Sequence, residues 1–265
     1  MCGIVGYSGL RPAVPVLLNG LKRLEYRGYD SAGVALQAGG DLVVEKREGK
    51  VAGLADALAA HPEAEALDGA TCGIAHTRWA THGPPTEANA HPHLSKGRLA
   101  LVHNGIVENH VMLRERLKAA GYEFRSETDT EVLVHLVDSL YEGNLLEAVT
   151  KALQEVEGTF GIACLSRHEP GILVVARRGS PIVIGLGEEE TIVASDASAI
   201  IKHTRQAVYL DDNDVARIDG GEVEIRSLDA MPVSRATSEI DWSADAAEKG
   251  GYEHYMLKEI FEQPE

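Results

Sequence analysis

The sequence predicts an α+β fold in which two mainly antiparallel sheets are packed with helices. Three observations lead there: strands open the chain, helices occupy its middle, and seven short β segments separated by Gly, Pro and Asp fill it from Thr159 onward. A parallel sheet would need strands and helices in alternation, because each crossover between parallel strands takes a helix.

The elements follow in order. Cys2 to Gly6 (Cys-Gly-Ile-Val-Gly) comes directly after the initiator methionine and reads as the start of a buried strand, its β-branched residues suiting a pleated surface. Arg11 to Tyr26 carries Val14, Leu17, Leu18, Leu21 and Leu24 at helical spacing, with prolines only in its first turn, where they are tolerated. Glu25 to Gly33 is too polar and glycine-rich to continue the helix. It leads to a strand over Val34 to Gln37, a turn at Gly39-Gly40 and a strand over Leu42 to Arg47. A short helix is expected over Lys50 to Ala60 and a buried strand over Cys72 to Thr77. The loop from Arg78 to His93 is of a length at which loops commonly carry function.

Leu99 to His103 returns as a strand and stops at Asn104-Gly105, a dipeptide that alone reads as a hairpin turn. Helices are expected over Asn109 to Ala120, Asp129 to Tyr141 and Leu145 to Val156. Thr128 and Glu131 form a capping box for the second, with Asp129 at its first helical position. The late β segments fall at 159–166, 171–177, 182–186, 191–195, 206–210, 214–218 and 222–226. Residues 227–250 lose the strand pattern, and Tyr252 to Phe261 begins a helix-like stripe. The domain is therefore expected to span 1–227, with 228–265 a linker toward a further region.

Composition bounds the function. At 265 residues and 44% hydrophobic content the chain can bury a full core. Neither a membrane-length apolar run nor a signal-peptide pattern is present, so the cytosol is the expected compartment. A net charge of −16 argues against nucleic acid or an anionic membrane as partner and favours a small molecule or another protein. Three cysteines, Cys2, Cys72 and Cys164, make no disulfide framework; the last two lie on expected buried strands and read as core.

If Met1 is removed, Cys2 carries a thiol and the chain's α-amine on one residue. A free α-amine has a pKa of about 7.7–8.0, so it can accept the thiol's proton near neutral pH. A cysteine near a terminus is otherwise a small apolar residue. What distinguishes Cys2 is its company: Tyr26 to Gly33 (Tyr-Arg-Gly-Tyr-Asp-Ser-Ala-Gly), His76 to Gly83 (His-Thr-Arg-Trp-Ala-Thr-His-Gly), His103 to Asn109 (His-Asn-Gly-Ile-Val-Glu-Asn) and Ser126 to Glu131 (Ser-Glu-Thr-Asp-Thr-Glu). With the opening pentapeptide, these resemble the motifs of the class II glutamine amidotransferases, in the same order and over nearly the whole chain.

The resemblance implies a four-layer αββα N-terminal-nucleophile hydrolase sandwich and hydrolysis of L-glutamine through a thioester on Cys2. It assigns Asn104 and Gly105 to the oxyanion hole. Arg78, with Thr81 and His82, would hold the substrate's α-carboxylate; a guanidinium suits that task because it grips a carboxylate with two bonds. Asp129 would hold the α-ammonium, although from spacing alone it reads equally as a helix-capping acid. Trp79 would close over glutamine, where a bare reading makes it an apolar anchor. Arg27 would order the pocket, where a bare reading leaves it a solvated loop residue.

The second and third motifs resemble the amino-sugar-forming branch of the family. That branch implies a sugar-isomerase domain following in the same full-length chain, a homodimer, and no cofactor. Glutaminase domains of phosphoribosylamine or asparagine synthesis, and a silent glutamine-binding module, are the alternatives. His91-Pro92-His93 and the pair His76 and His82 match no zinc spacing, so no metal is expected.

Overall fold

The computed structural model describes residues 2–80 and 83–241, Arg27 by its backbone alone. In chain order the elements are β1 (Gly3–Ser8), α1 (Ala13–Leu24), β2 (Ser31–Ala38), β3 (Asp41–Glu48), α2 (Val51–Ala59), α3 (Ala64–Asp68), β4 (Cys72–Arg78), β5 (His93–Ser95) and β6 (Leu99–Val107). Then come α4 (His110–Ala119), α5 (Thr130–Ser139), α6 (Leu145–Glu155), β7 (Gly158–Ser166), β8 (Ile172–Arg178), β9 (Val183–Leu186) and β10 (Thr191–Ala194). The last are β11 (Gln206–Tyr209), β12 (Asp214–Asp219), β13 (Glu222–Ser227) and β14 (Thr237–Glu239).

Among the described residues the strands form an eight-stranded sheet, ordered β14-β11-β9-β10-β1-β4-β2-β3, and a six-stranded sheet, ordered β13-β12-β8-β7-β6-β5. Neighbouring strands pair antiparallel. Each sheet is covered outside by helices and inside by the other sheet. Ile4, Ile74, Val102, Leu165, Leu173, Val175 and Val193 belong to the apolar layer between the sheets. Leu17, Leu21 and Leu24 of α1 pack with Val5 and Tyr7 on the outer side of the first sheet. Leu133 and Val137 of α5 pack with Leu99 and Leu101 on the outer side of the second.

The periodicities explain this arrangement. In β1, Val5 and Tyr7 face α1 while Ile4 faces the other sheet, so a period of two buries both faces. In β6, Leu99 and Leu101 face the helices while Ala100 and Val102 face β1's sheet. Val16, Leu17, Leu21 and Leu24 of α1 are buried, at roughly 1.5–3 kcal/mol each for side chains of this size. Gly20 lets α1 sit close on β1, since a Cβ there would lie 2.9 Å from Val5 methyls.

Four expectations need correction. Asn104-Gly105 does not turn the chain: β6 continues to Val107, with Asn104 opposite Gly161 and Gly105 opposite Phe160, because pairing with β7 outweighs the local turn preference. The Thr128–Glu131 capping box does not form. Glu131 reaches back instead to the N–H groups of Arg125 and Ser126, Thr128 Oγ1 bonds His93, and Asp129 is the residue that precedes α5. Residues 228–240 are docked on the domain: Leu228 and Ile240 are buried, Arg235 bonds Asp214 with both guanidinium and carboxylate edges, and β14 pairs with β11. The short elements α3 and β5 were not anticipated at all. The helix-like stripe over Tyr252 to Phe261 lies outside the described residues.

Glu131 makes a testable contribution to stability. Burial works against its charged form, but His135 and the N–H groups of Arg125 and Ser126 outweigh it and hold the carboxyl below its usual range. A depressed folded-state pKa gives stability that is complete above about pH 4.5 and is lost as pH falls toward about 2. Denaturant unfolding across that window should show Glu131→Gln protein less stable at neutral pH and less sensitive to acid than wild type.

Candidate active site

Cys2 stands immediately before β1, in the middle of the first sheet, and β6 of the second sheet runs past it. The two strands meet through a side chain: Asn104 Nδ2 donates to the Cys2 carbonyl oxygen at 3.3 Å. The other end of the same amide is held from behind, where Asn104 Oδ1 lies 3.0 Å from His76 Nε2. Gly105, next along β6, has φ +136°, and a Cβ there would lie 2.1 Å from the Thr159 carbonyl oxygen, so only glycine fits.

The Cys2 sulfur is gripped by backbone. The Trp79 N–H donates to Sγ at 3.3 Å. Burial pushes the thiol up from its ordinary value, while the Trp79 N–H and the positive charge of Arg78 pull it back toward the thiolate. The Trp79 peptide is held in place by the segment after α1. The Ala80 N–H donates to Asp30 Oδ2 at 2.8 Å and the Asp30 N–H to the Arg78 carbonyl at 3.1 Å. Gly28 packs so tightly on this peptide that a Cβ would lie 2.9 Å from Arg78 C and Trp79 N.

Arg78 ends β4, which brings its guanidinium under the following loop. It is 4% exposed and donates to the Pro84 and Gly83 carbonyls at 3.2 and 3.5 Å. Burial lowers its pKa, while Cys2, Asp30 and Asp129 favour its charge. Asp129, buried at the N-terminus of α5, accepts the Val107 N–H at 2.8 Å on Oδ2. Cys2, Arg78, Trp79, Gly105 and Asp129 line one small cavity of about 40 Å³ with His91, His103, Thr128 and Thr130. The arrangement sets a nucleophile beside amide donors, with a cation and an anion at hand for a zwitterionic ligand.

Of the residues singled out from sequence, Asn104 joins this group through its bond to Cys2, and the other five line the cavity. The Trp79 indole is 49% exposed, which rules out the apolar-anchor reading. Thr81, His82 and the Arg27 side chain lie outside the described residues. Sequence reasoning missed Asp30, His76 and His103. All three fall inside the recognised motifs, but their hydrogen bonds run to residues distant in sequence and leave no local signal. His76, His91 and His93 lie in a row, the first two rings tilted with centroids 4.1 Å apart and the last two edge-to-face at 4.9 Å. Cys72 and Cys164 are buried, as expected. A larger cleft of about 720 Å³, lined in part by Lys46, Tyr122 and Glu131, is lined by none of the expected catalytic or substrate-binding residues.

A family model described as a glutamine amidotransferase domain matches residues 76–202. Among solved structures, the glutamine phosphoribosylpyrophosphate amidotransferase of B. subtilis superposes with a TM-score of 0.72 at 24% identity, covering 86% of this chain and 49% of that one; this likeness speaks for the fold. The chain belongs to the class II glutamine amidotransferases and has their αββα N-terminal-nucleophile fold. Over its full length it is 54% identical to a Thermus thermophilus protein named glutamine–fructose-6-phosphate aminotransferase (isomerizing) and 50% identical to an Aquifex aeolicus protein of the same name. It spans 43% and 44% of the lengths of those two relatives.

The grip on the sulfur can be tested without substrate. Gly28→Ala should displace the Trp79 N–H, raise the Cys2 thiol pKa and slow alkylation by iodoacetamide at neutral pH, with the rate recovering at higher pH. An unchanged pH profile of alkylation would show that the N–H does not tune the thiol.

Proposed function

We propose that this chain is the glutaminase half of a glutamine–fructose-6-phosphate aminotransferase. It hydrolyses L-glutamine to glutamate and ammonia, and in the full protein the ammonia passes to a sugar-isomerase domain that converts fructose 6-phosphate to glucosamine 6-phosphate. The observation that carries the glutaminase reading is the meeting of Cys2, at the mouth of β1, with Asn104 and Gly105 on β6 around one cavity. The assignment of the acceptor rests on the full-length match to relatives of that name.

The mechanism follows from the geometry. Removal of Met1 frees the Cys2 α-amine, which is otherwise a peptide nitrogen without basicity. The amine takes the thiol proton, and the thiolate attacks the side-chain carbonyl carbon of glutamine. Charge develops on the carbonyl oxygen, where the Asn104 amide and the Gly105 N–H stabilise it; losing one such donor typically costs about 10²–10³ in kcat. The protonated amine gives its proton to the departing nitrogen, and ammonia leaves. A water molecule, deprotonated by the same amine, then attacks the γ-glutamyl thioester, releasing glutamate and restoring the thiol.

Arg78 takes the α-carboxylate of glutamine and Asp129 its α-ammonium, so the ligand's two charges are matched by two fixed ones. Thr81 and His82 add contacts to the carboxylate, Trp79 closes over the bound ligand, and Arg27 orders the pocket. The full-length protein is a cytoplasmic homodimer in this reading; no helix among the described residues is long and apolar enough to cross a membrane.

Intact mass should show the purified protein without Met1. That mature protein should release glutamate from glutamine, and Cys2→Ala should lower the rate by at least about 10³-fold. Glutamate release by Cys2→Ala at the wild-type rate would end the proposal.

A further inference from the structure

The Asn104 amide reaches the Cys2 carbonyl with its nitrogen, since a carbonyl oxygen can only accept. Its oxygen therefore faces His76, 3.0 Å away, and His76 must carry its proton on Nε2 to donate there. The other ring nitrogen, Nδ1, has no hydrogen-bond partner among the described residues, which fits a neutral ring with its single proton on Nε2. Burial pushes the His76 pKa down to about 3, against the pull of the Asn104 oxygen, so the ring stays neutral throughout the physiological range. The ring itself has little room to turn: it is 1% exposed and packs against the tilted His91 ring, with centroids 4.1 Å apart.

We infer that His76 is a positioning residue for the oxyanion hole, locking the Asn104 amide so that its N–H edge faces the nucleophile. The inference rests on the glutaminase reading above and adds to it a residue with no substrate contact of its own. Its physical basis is that an asparagine side chain has two nearly isosteric ends and a soft terminal torsion. Left alone, the amide can present oxygen toward a developing oxyanion, which repels it. A donor fixed behind the oxygen removes that orientation. A neutral donor does so without placing a charge that would bind the oxygen of Asn104 at the expense of the oxyanion opposite.

The test uses mature wild-type, His76→Leu and His76→Gln protein. Leucine fills the space without a donor, whereas the glutamine amide N–H can reach the same oxygen. Three quantities are read: the rate of glutamine turnover, the KM for glutamine, and the rate of alkylation of Cys2 by iodoacetamide, a displacement that develops no oxyanion. His76→Leu should lower kcat by about 10–100-fold, the scale expected when a catalytic group is misplaced by a fraction of an ångström to an ångström. KM and alkylation should stay within about two-fold. His76→Gln should recover most of kcat, and in an Asn104→Ala background His76→Leu should change kcat by less than about two-fold.

Alkylation falling in parallel with turnover would overturn the inference, because it would mean a collapsed pocket. So would unchanged turnover in His76→Leu, or a full additional loss in the Asn104→Ala background. Failure of the wild-type protein itself to release glutamate would refute the glutaminase reading instead, so the two failures are distinct.

Discussion

The hydrogen bond from Asn104 to the Cys2 carbonyl crosses from one sheet to the other, and it exists only because β1 and β6 pack face to face. That packing is apolar and non-directional: Ile4 and Ile74 on one side, Ala100 and Val102 on the other. Its consequence is directional, since it brings the residue just before one strand within hydrogen-bond reach of the polar end of another, 3.3 Å from Asn104 Nδ2 to the Cys2 carbonyl. Small residues on β6 at positions 100 and 102 let the sheets approach, and Gly105 continues that economy to the point where backbone itself faces the cavity.

Around this contact the electrostatics are set by burial. In an acidic protein, net −16, the buried Arg78 guanidinium stands at the cavity wall, where Cys2, Asp30 and Asp129 all favour its charge. The histidines nearby, His76, His91, His93 and His103, are all pushed toward the neutral form by burial. They act as fixed dipoles and packing, and the proposed mechanism gives proton transfer to the amine and thiol of Cys2. In that mechanism two tasks that a catalytic histidine would combine are separated: basicity is assigned to the chain terminus, and orientation to neutral rings and amides.

Much of the architecture was legible because it is written in local pattern. Each of the seven late β segments has a strand within a residue or so of its expected bounds, since alternation and turn residues repeat there. The misreadings have a common cause. Asn104-Gly105 carries the local signature of a turn, yet nine residues of pairing with β7 hold it in a strand. Thr128 and Glu131 have capping-box spacing, yet each finds a partner elsewhere in the fold. β14 is exposed at all three positions, so no hydrophobic alternation announces it. In the candidate site, Cys2, Arg78 and Asp129 were recognisable from residue type and motif. Asp30 and His76 were not, because their hydrogen bonds run to residues far along the chain.

The central claim is that a nucleophilic sulfur at the start of β1 faces an amide pair on β6. The most direct measurement is a crystal structure of the mature protein after reaction with a diazoketone analogue of glutamine. The account predicts the label on Cys2 Sγ, with its carbonyl oxygen about 2.7–3.1 Å from both Asn104 Nδ2 and the Gly105 nitrogen. A label on Cys2 whose oxygen points away from both groups, or a label on another residue, would contradict it.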